Sequence, residues 1–307
     1  MNISKQSILS KDLIEQLYDL PSINKLVESS CQVAVRDPRA MYVFMQRYVH
    51  FNGYAGSLVA RLASSIGWSR DLFNNPDCGV IDEADRGMEI AAKVIAATID
   101  EHADEGAKYV PHRTLAQATL KAVGNYAGLT ETERNEIAVT PDWMVGVLDD
   151  LFRGYQGVPG NSAALIRAMG FHVASEILAD REYALIDKVV RYDNRGKGFD
   201  AFLRTSDGKV KINDRQFSAW YWIVIHGKHQ GSGVEVEHFE CALEALNMAA
   251  AYRPESAQQI REYALQGFSD FAEIQQRRMK AQVPANLHAM RVVCNSLIET
   301  NLRVFAR

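Results

Sequence analysis

In the stretch GVEVEHFECALEALNMAAAY (233–252), Glu235 and His238 stand three apart at the start of an alanine- and leucine-rich run. On a helix they share a face, and Glu237 points elsewhere. His226 and His229 lie on the segment just before. A second pair, His172 and Glu176 in MGFHVASEILADRE, is spaced i, i+4. Ala174, Ile177 and Leu178 flank that carboxylate, and Asp180 continues its face. In a third stretch, IDEHADEGAKYVPHRTL, Glu101 and Glu105 are i, i+4 and His102 is one position round. His112 follows Glu105 by seven residues, two turns of a continuing helix, with Gly106 and Pro111 placing a bend between them.

Carboxylates and imidazoles drawn from several helices are the donor inventory of a carboxylate-bridged pair of iron or manganese ions. Two such cations need anionic oxygens to hold them close, and imidazoles add donors without adding negative charge. Iron held in this way binds and reduces dioxygen, which no side chain does unaided. Taken singly, each residue also has a plainer role. Two glutamates at i, i+4 commonly form a solvated face, and His172 or His112 packs as an ordinary histidine. Glu235 suits the positive end of a helix dipole. Eight histidines in 307 residues are no enrichment.

The elements that must position these groups read as helices. A helical stretch over 10–32 is divided at Pro21, and Asp37-Pro38 opens a helix running to about 66. Residues 68–82 read as a loop, 83–105 as a helix closed near Gly106, and another helix begins near Pro111. Thr130 and Glu133 have capping-box spacing. Pro141-Asp142 opens a helix through Leu151, a loop covers 154–161, and a long helix covers 162–190. Residues 191–215 are the least helical, with TSDGK as a turn between two short strands. Helices resume over 217–229, 233–252 and 255–284, and 286–307 fits no single pattern. The expected fold is an all-α bundle of eight or more helices with a short irregular or β-hairpin insertion near 191–215. One domain is expected over 1–307, its core at about 38–250 and the helices of 255–307 packed on it.

Composition is that of an ordinary globule, 47% hydrophobic and 23% charged, with a net charge of −4. No basic excess points to nucleic acid. Cys31, Cys78, Cys241 and Cys294 form no CxxC pair, and Cys241 reads as a buried thiol. No apolar run has transmembrane length and the first residues carry no signal-peptide pattern, so the expected setting is cytoplasmic, without membrane partners. GxGxxG, GxxxxGK[ST] and GxSxG are all missing, as is any flavin or iron–sulfur motif, so a redox reaction here would draw on an external reductant or on its substrate.

The order of these groups resembles the haem-oxygenase-like di-iron oxidase family, within the helical superfamily that also holds the thiaminase II (TenA) and PqqC proteins. There a core helix carries a Glu and a His seven later, matched by Glu105 and His112. A later helix brings one Glu, matched by Glu176, and a last core helix carries an acid and a His three later, matched by Glu235 and His238. The aromatic-rich FMQRYVHFNGYAGSLVARLA (44–63) is similar to the first core helix, and the likeness covers roughly 38–250. Two positions depart from the pattern. Gly231 stands where a further His is usual, with His226 or His229 as substitutes, and Asn52, near His50, stands where a Glu is usual.

The resemblance implies a haem-oxygenase-like bundle and an iron site of two ions, or of one where those departures remove a subsite. It implies dioxygen as co-substrate, and N-oxygenation or oxidative C–H or C–C cleavage of a small amine, amino acid or fatty acid. Glu105 and Glu176 would be the catalytic carboxylates, with His112, Glu235 and His238 completing the metal ligands and Glu101 and His226 as further candidates. Arg181 would bind a substrate carboxylate, with Arg47 and Tyr54 as other polar contacts. Two rivals stay open: a metal-free enzyme of the thiaminase II or PqqC kind, and a non-enzymatic helical binding protein. A homodimer is the prior for a bundle of this size.

Overall fold

Side-chain caps and prolines set most of the helix starts. The structure, a computed structural model, describes residues 8–73, 86–96, 98–227, 233–253 and 255–305, with side chains to 288. Ser10 caps α1 (Lys11–Leu17) and Asp19 caps α2 (Leu20–Ala34), whose first turn holds Pro21. Asp37 caps α3 (Pro38–Asn52), and α4 (Ala55–Gly67) follows after a break at Gly53-Tyr54. The expected single helix over 38–66 is therefore two. The expected helix over 83–105 is also two, α5 (Arg86–Ala96) and the short α6 (Ile99–Ala103). Most of the loop expected at 68–82, Cys78 included, lies outside the described residues.

Helix α7 (His112–Tyr126) starts on Pro111, and a complete capping box of Thr130 and Glu133 starts α8 (Glu131–Ala138). Next come α9 (Asp142–Gly154) and the long α10 (Ser162–Asp187), capped by Asn161 and ending in a π-helical turn, Lys188–Tyr192. A short α11 (Gly198–Leu203) leads to the antiparallel hairpin of β1 (Lys209–Ile212) and β2 (Arg215–Ser218). Its turn is at Asn213-Asp214 rather than in TSDGK. Asn213 adopts φ +55°, which asparagine tolerates better than most residues. The hairpin shortens the helix expected over 217–229 to α12 (Tyr221–His226). The last helices are α13 (Glu235–Ala251) and α14 (Ala257–Phe305), which continues through Pro284 and takes in the ambiguous tail.

The protein is thus an all-α bundle carrying one small antiparallel hairpin. Helices α10 and α14 run so close that a Cβ on Gly170 would meet the Ala264 carbonyl oxygen at 2.0 Å. One on Gly267 would meet that of Arg167 at 1.8 Å. Only glycine fits these two positions. Buried apolar side chains form two main clusters. One gathers residues of α1, α4, α5, α9, α13 and the first two-thirds of α10. The other gathers residues of α2, α3, α7, α12 and the end of α10. Glu176, Glu235 and His238 stand on helices of the first cluster, and His112 and His226 on helices of the second. Among the described residues no helix is long and apolar enough to cross a membrane.

Candidate metal centre

The first group is built on continuous helix. On α10, the whole run Ala168–Leu178 is buried, so His172 and Glu176 are held in the interior by their own helix. His172 Nδ1 lies 3.1 Å from Glu176 Oε1. The first turn of α13 brings Glu235 and His238 to the same place, with His238 Nδ1 3.4 Å from Glu235 Oε2 and 3.6 Å from Glu176 Oε2. Glu176, Glu235 and His238 are all buried, and one ligand atom from each lies within 4.8 Å of the others. Behind His238, Asp100 Oδ1 faces its second ring nitrogen at 3.2 Å.

The second group is built on short pieces. Glu101 stands on the five-residue α6, His112 opens α7 and His226 ends the six-residue α12. Glu101 Oε1 lies 3.1 Å from both His112 Nδ1 and His226 Nε2. These three also hold ligand atoms within 4.8 Å of one another. The outer nitrogens again lie near polar atoms. Asp104 Oδ2 is 3.3 Å from His112 Nε2, and His226 Nδ1 is 2.7 Å from the Trp222 carbonyl. The groups meet at Glu235, whose Oε1 lies 3.9 Å from His226 Nε2 while its Oε2 faces His238.

Glycines let His226 reach this place. A Cβ on Gly233 would fall 1.7 Å from the His226 carbonyl oxygen, and one on Gly227 would fall 2.5 Å from the Ala184 nitrogen. Val234 N–H donates to the Ile225 carbonyl at 2.9 Å, tying the end of α12 to the start of α13. Gly231 and His229 lie outside the described residues.

Burial opposes charge throughout the site, and the partners decide the outcome. For Glu101, hydrogen bonds with His112 and His226 overcome burial and hold its carboxyl below the usual range. Glu176 is likewise held low against burial by His172 and His238. Burial pushes Glu235 well up, and the neighbouring Glu176 adds to this. His238 is raised despite burial by Asp100, Glu176 and Glu235, whereas burial lowers His226. The pattern is one of crowded buried anions, and a divalent cation at this place would relieve it. The donor set fits such an ion. Carboxylates converge with imidazoles, of which His226 and His238 turn their far nitrogens to a carbonyl and a carboxylate, as metal-ligating histidines generally do. Among the described residues the buried Nε2 atoms of His112 and His172 have no hydrogen-bond partner.

The other expected residues are placed elsewhere. Glu105 is exposed on the turn after α6 and joins neither group, and Glu101 stands where it was expected. Arg181 pairs with Glu15 at 2.7 Å, away from the centre. Arg47 is buried and donates to Gln46, Tyr54 packs edge-on to Phe152, and His50 lies 3.5 Å from Thr140. Asn52 lines a cavity over the centre. Cys241 is half-buried rather than buried.

Four contributors escaped the sequence reading. Asp100 and Asp104 flank Glu101 in an acid-rich run, and that proximity was their only signal. Tyr155 and Ser175 support Glu176 from behind. The Tyr155 hydroxyl is 2.5 Å from Ser175 Oγ and 3.3 Å from His172 Nδ1, and Ser175 Oγ is 3.3 Å from Glu176 Oε1. Nothing in the spacing of Tyr155 announces this. The chain is therefore a helical protein with two largely buried His/Glu groups able to coordinate metal ions, an arrangement consistent with the helical metalloenzymes. No protein-family model matches it, and no curated protein is significantly similar to it.

Proposed function

We propose that the centre holds two iron ions and that the chain is a dioxygen-using oxidase or oxygenase of the haem-oxygenase-like di-iron kind, acting on a small molecule. One observation carries this reading. Two largely buried His/Glu groups meet where Glu235 of one lies 3.9 Å from His226 of the other, and the far nitrogens of His226 and His238 face a carbonyl and a carboxylate. Glu101, His112 and His226 would hold one ion, Glu176 and His238 the other, and Glu235 would lie between them. A bound iron pair supplies the electrons and Lewis acidity that dioxygen reduction requires.

The chain's own residues supply the rest. Asp100 and the Trp222 carbonyl orient His238 and His226, and the Asp104 carboxylate lies beside His112. Tyr155 and Ser175 hold the Glu176 carboxylate in place. Phe51, Leu58, Val59, Leu151 and Phe271 form an apolar wall over the centre and keep bulk water from the reacting groups. Reducing equivalents come from an external donor or from the substrate.

The test is anaerobic ferrous-iron titration of metal-stripped protein, then metal analysis and Mössbauer spectroscopy after exposure to oxygen. Uptake of two ions per chain with a spectrum of coupled ferric ions supports the reading. One ion per chain would reduce it to a mononuclear oxidase, and no specific uptake would sink it in favour of a metal-free enzyme or a binding protein.

A further inference from the structure

Helix α3 carries a buried guanidinium that no acid balances. Arg47 and Arg278 are the buried arginines among the described residues, and Arg278 is ion-paired with Glu182. Arg47 is 8% exposed and donates only to the side-chain oxygen of Gln46, at 2.7 Å. Burial pulls its pKa below the ordinary arginine value, and no carboxylate counters that pull. Arginine keeps its charge near neutral pH all the same. A buried cation facing one neutral amide is unfavourable on its own. Its remaining N–H groups have no protein partner among the described residues, yet they are not sealed from solvent.

The neighbours of Arg47 are basic too. His50 stands three residues on along α3 and shares its face. Arg113, the second residue of α7, reaches back to donate to the Gly53 carbonyl at the end of α3, at 2.6 Å. Its guanidinium lies 5.8 Å from the centre of the Tyr54 ring, which in turn lies 6.0 Å from the His50 ring. Burial lowers the His50 pKa, and Arg47 and Arg113 lower it further, so both guanidiniums are close enough to oppose a charge there. The imidazole is therefore neutral at neutral pH, with Nδ1 3.5 Å from the Thr140 hydroxyl. Among the described residues no carboxylate bonds to Arg47, His50 or Arg113. None of the three lines the cavity over the metal centre or belongs to its ligand groups.

We infer that this place, where α3 meets the start of α7, binds a phosphate group. The two guanidiniums bring two positive charges, and a phosphate monoester carries about two negative ones near neutral pH. Forked donors from two helices, with an imidazole between them in the sequence of contacts, call for several acceptor oxygens. A tetrahedral phosphate offers three or more, whereas a carboxylate offers two in one plane. The anion supplies the counter-charge that the fold withholds from Arg47. Free phosphate and a phosphate ester share this chemistry, and the Tyr54 ring offers a surface to the organic part of an ester. The inference does not rest on the metal-centre reading.

The experiment is calorimetric titration of the full-length protein at neutral pH and fixed ionic strength with inorganic phosphate, phenyl phosphate and acetate. Saturable phosphate binding is expected, with acetate on the order of ten-fold weaker. Arg47→Met and, separately, Arg113→Gln should each weaken phosphate by about ten-fold, because each removes a charge-assisted hydrogen bond. Methionine keeps an unbranched apolar stem in the place of Arg47, and Arg113 is exposed, so a core disturbed by the first substitution leaves the second to decide. Tighter binding of phenyl phosphate than of phosphate assigns the site to an ester, and equal binding assigns it to the free ion; both uphold the inference. Absence of saturable phosphate binding overturns it. So does binding that survives both substitutions, as phosphate held by a metal ion at the centre would. Acetate binding as tightly as phosphate overturns the ligand class. Failure of the ferrous titration would sink the iron reading and leave this site untouched.

Discussion

Glu176, Glu235 and His238 stand on helices of 26 and 17 residues, whereas Glu101, His112 and His226 come from two short helices and the first residue of a third. Both groups bring three ligand atoms within 4.8 Å, yet by different means. In the first, helical periodicity places the side chains and packing of α10 against α14 holds them. In the second, the backbone itself is shaped. Lys108 and Tyr109 both adopt positive φ, at 57° and 66°, and Asp104 pairs with Val110 across the loop. Short elements with few neighbours open more readily than long buried helices. If the centre takes up metal as proposed, the helix-built group would be its preformed half and the loop-built group the half that metal completes.

The largest effect is expected at the residue that the two halves share. Glu235→Gln should remove both ions, because its carboxylate faces His226 and His238. Glu101→Gln should remove only the ion of the loop-built half. Metal analysis after ferrous titration separates the two, and equal losses in both variants would break the distinction between the halves.

Backbone contacts sharpen the comparison next. Gly170→Ala pushes a Cβ into the α14 backbone and should cost about 3 kcal/mol of global stability, seen as a lowered denaturation midpoint. Gly233→Ala pushes a Cβ into the His226 carbonyl. It should displace one ligand of the loop-built half and cost that half its ion while the denaturation midpoint moves less. A larger stability loss for Gly233→Ala than for Gly170→Ala would show that the short elements are as integral to the core as α10.

The same contrast explains what was legible in the sequence. Glu176, Glu235 and His238 stood out because a carboxylate at i, i+3 or i, i+4 from a histidine in an apolar run marks one buried helical face. The all-helical fold was legible for the same reason, since period is a local signal, and a hairpin near 191–215 was too, although its turn falls at Asn213-Asp214 rather than in TSDGK. Glu101 lost its place to Glu105 because counting seven residues back from His112 assumes a continuous helix. The chain breaks after Ala103, and the turn it makes brings His112 beside Glu101, eleven residues away. Positive φ at a lysine and a tyrosine is set by tertiary packing, and no local rule reads it. Tyr155 and Ser175 were invisible because their roles depend on how α9 lies against α10.

Outer-sphere acids give a smaller, graded test. Asp100→Asn removes the carboxylate behind His238, and Asp104→Asn the one behind His112. Each should weaken its own half by about 10- to 100-fold in metal affinity. The loop-built half should suffer more, since His112 and His226 stand at helix ends. Competition against a chelator measures both. Hydrogen exchange supplies a second readout: metal should protect amides over 100–112 and 221–226 more than those of α10.

The smallest effect is expected where neither half is involved. The capping box of α8 is remote from both groups and packs on α3 through Arg39 and Glu133, 2.7 Å apart. Thr130→Ala removes a side chain that accepts from Glu133 N–H at 3.3 Å and donates to Glu133 Oε2 at 2.8 Å, and should cost about 1 kcal/mol. The partly exposed Arg39 pair adds only a few tenths of a kcal/mol, roughly. Hydrogen bonds from Thr130 and then Arg39 lower the Glu133 carboxyl from 4.5 to about 2. A depressed carboxyl contributes stability above its unfolded value and loses it as pH falls through the folded one. The wild-type advantage over Thr130→Ala should hold at neutral pH and shrink below about pH 4, read by thermal unfolding. Metal uptake by both halves should be unchanged at neutral pH. If this modest loss of stability also emptied the loop-built half, that half would be tracking the stability of the whole fold rather than its own local opening, and the division between a preformed and a metal-completed half would fail.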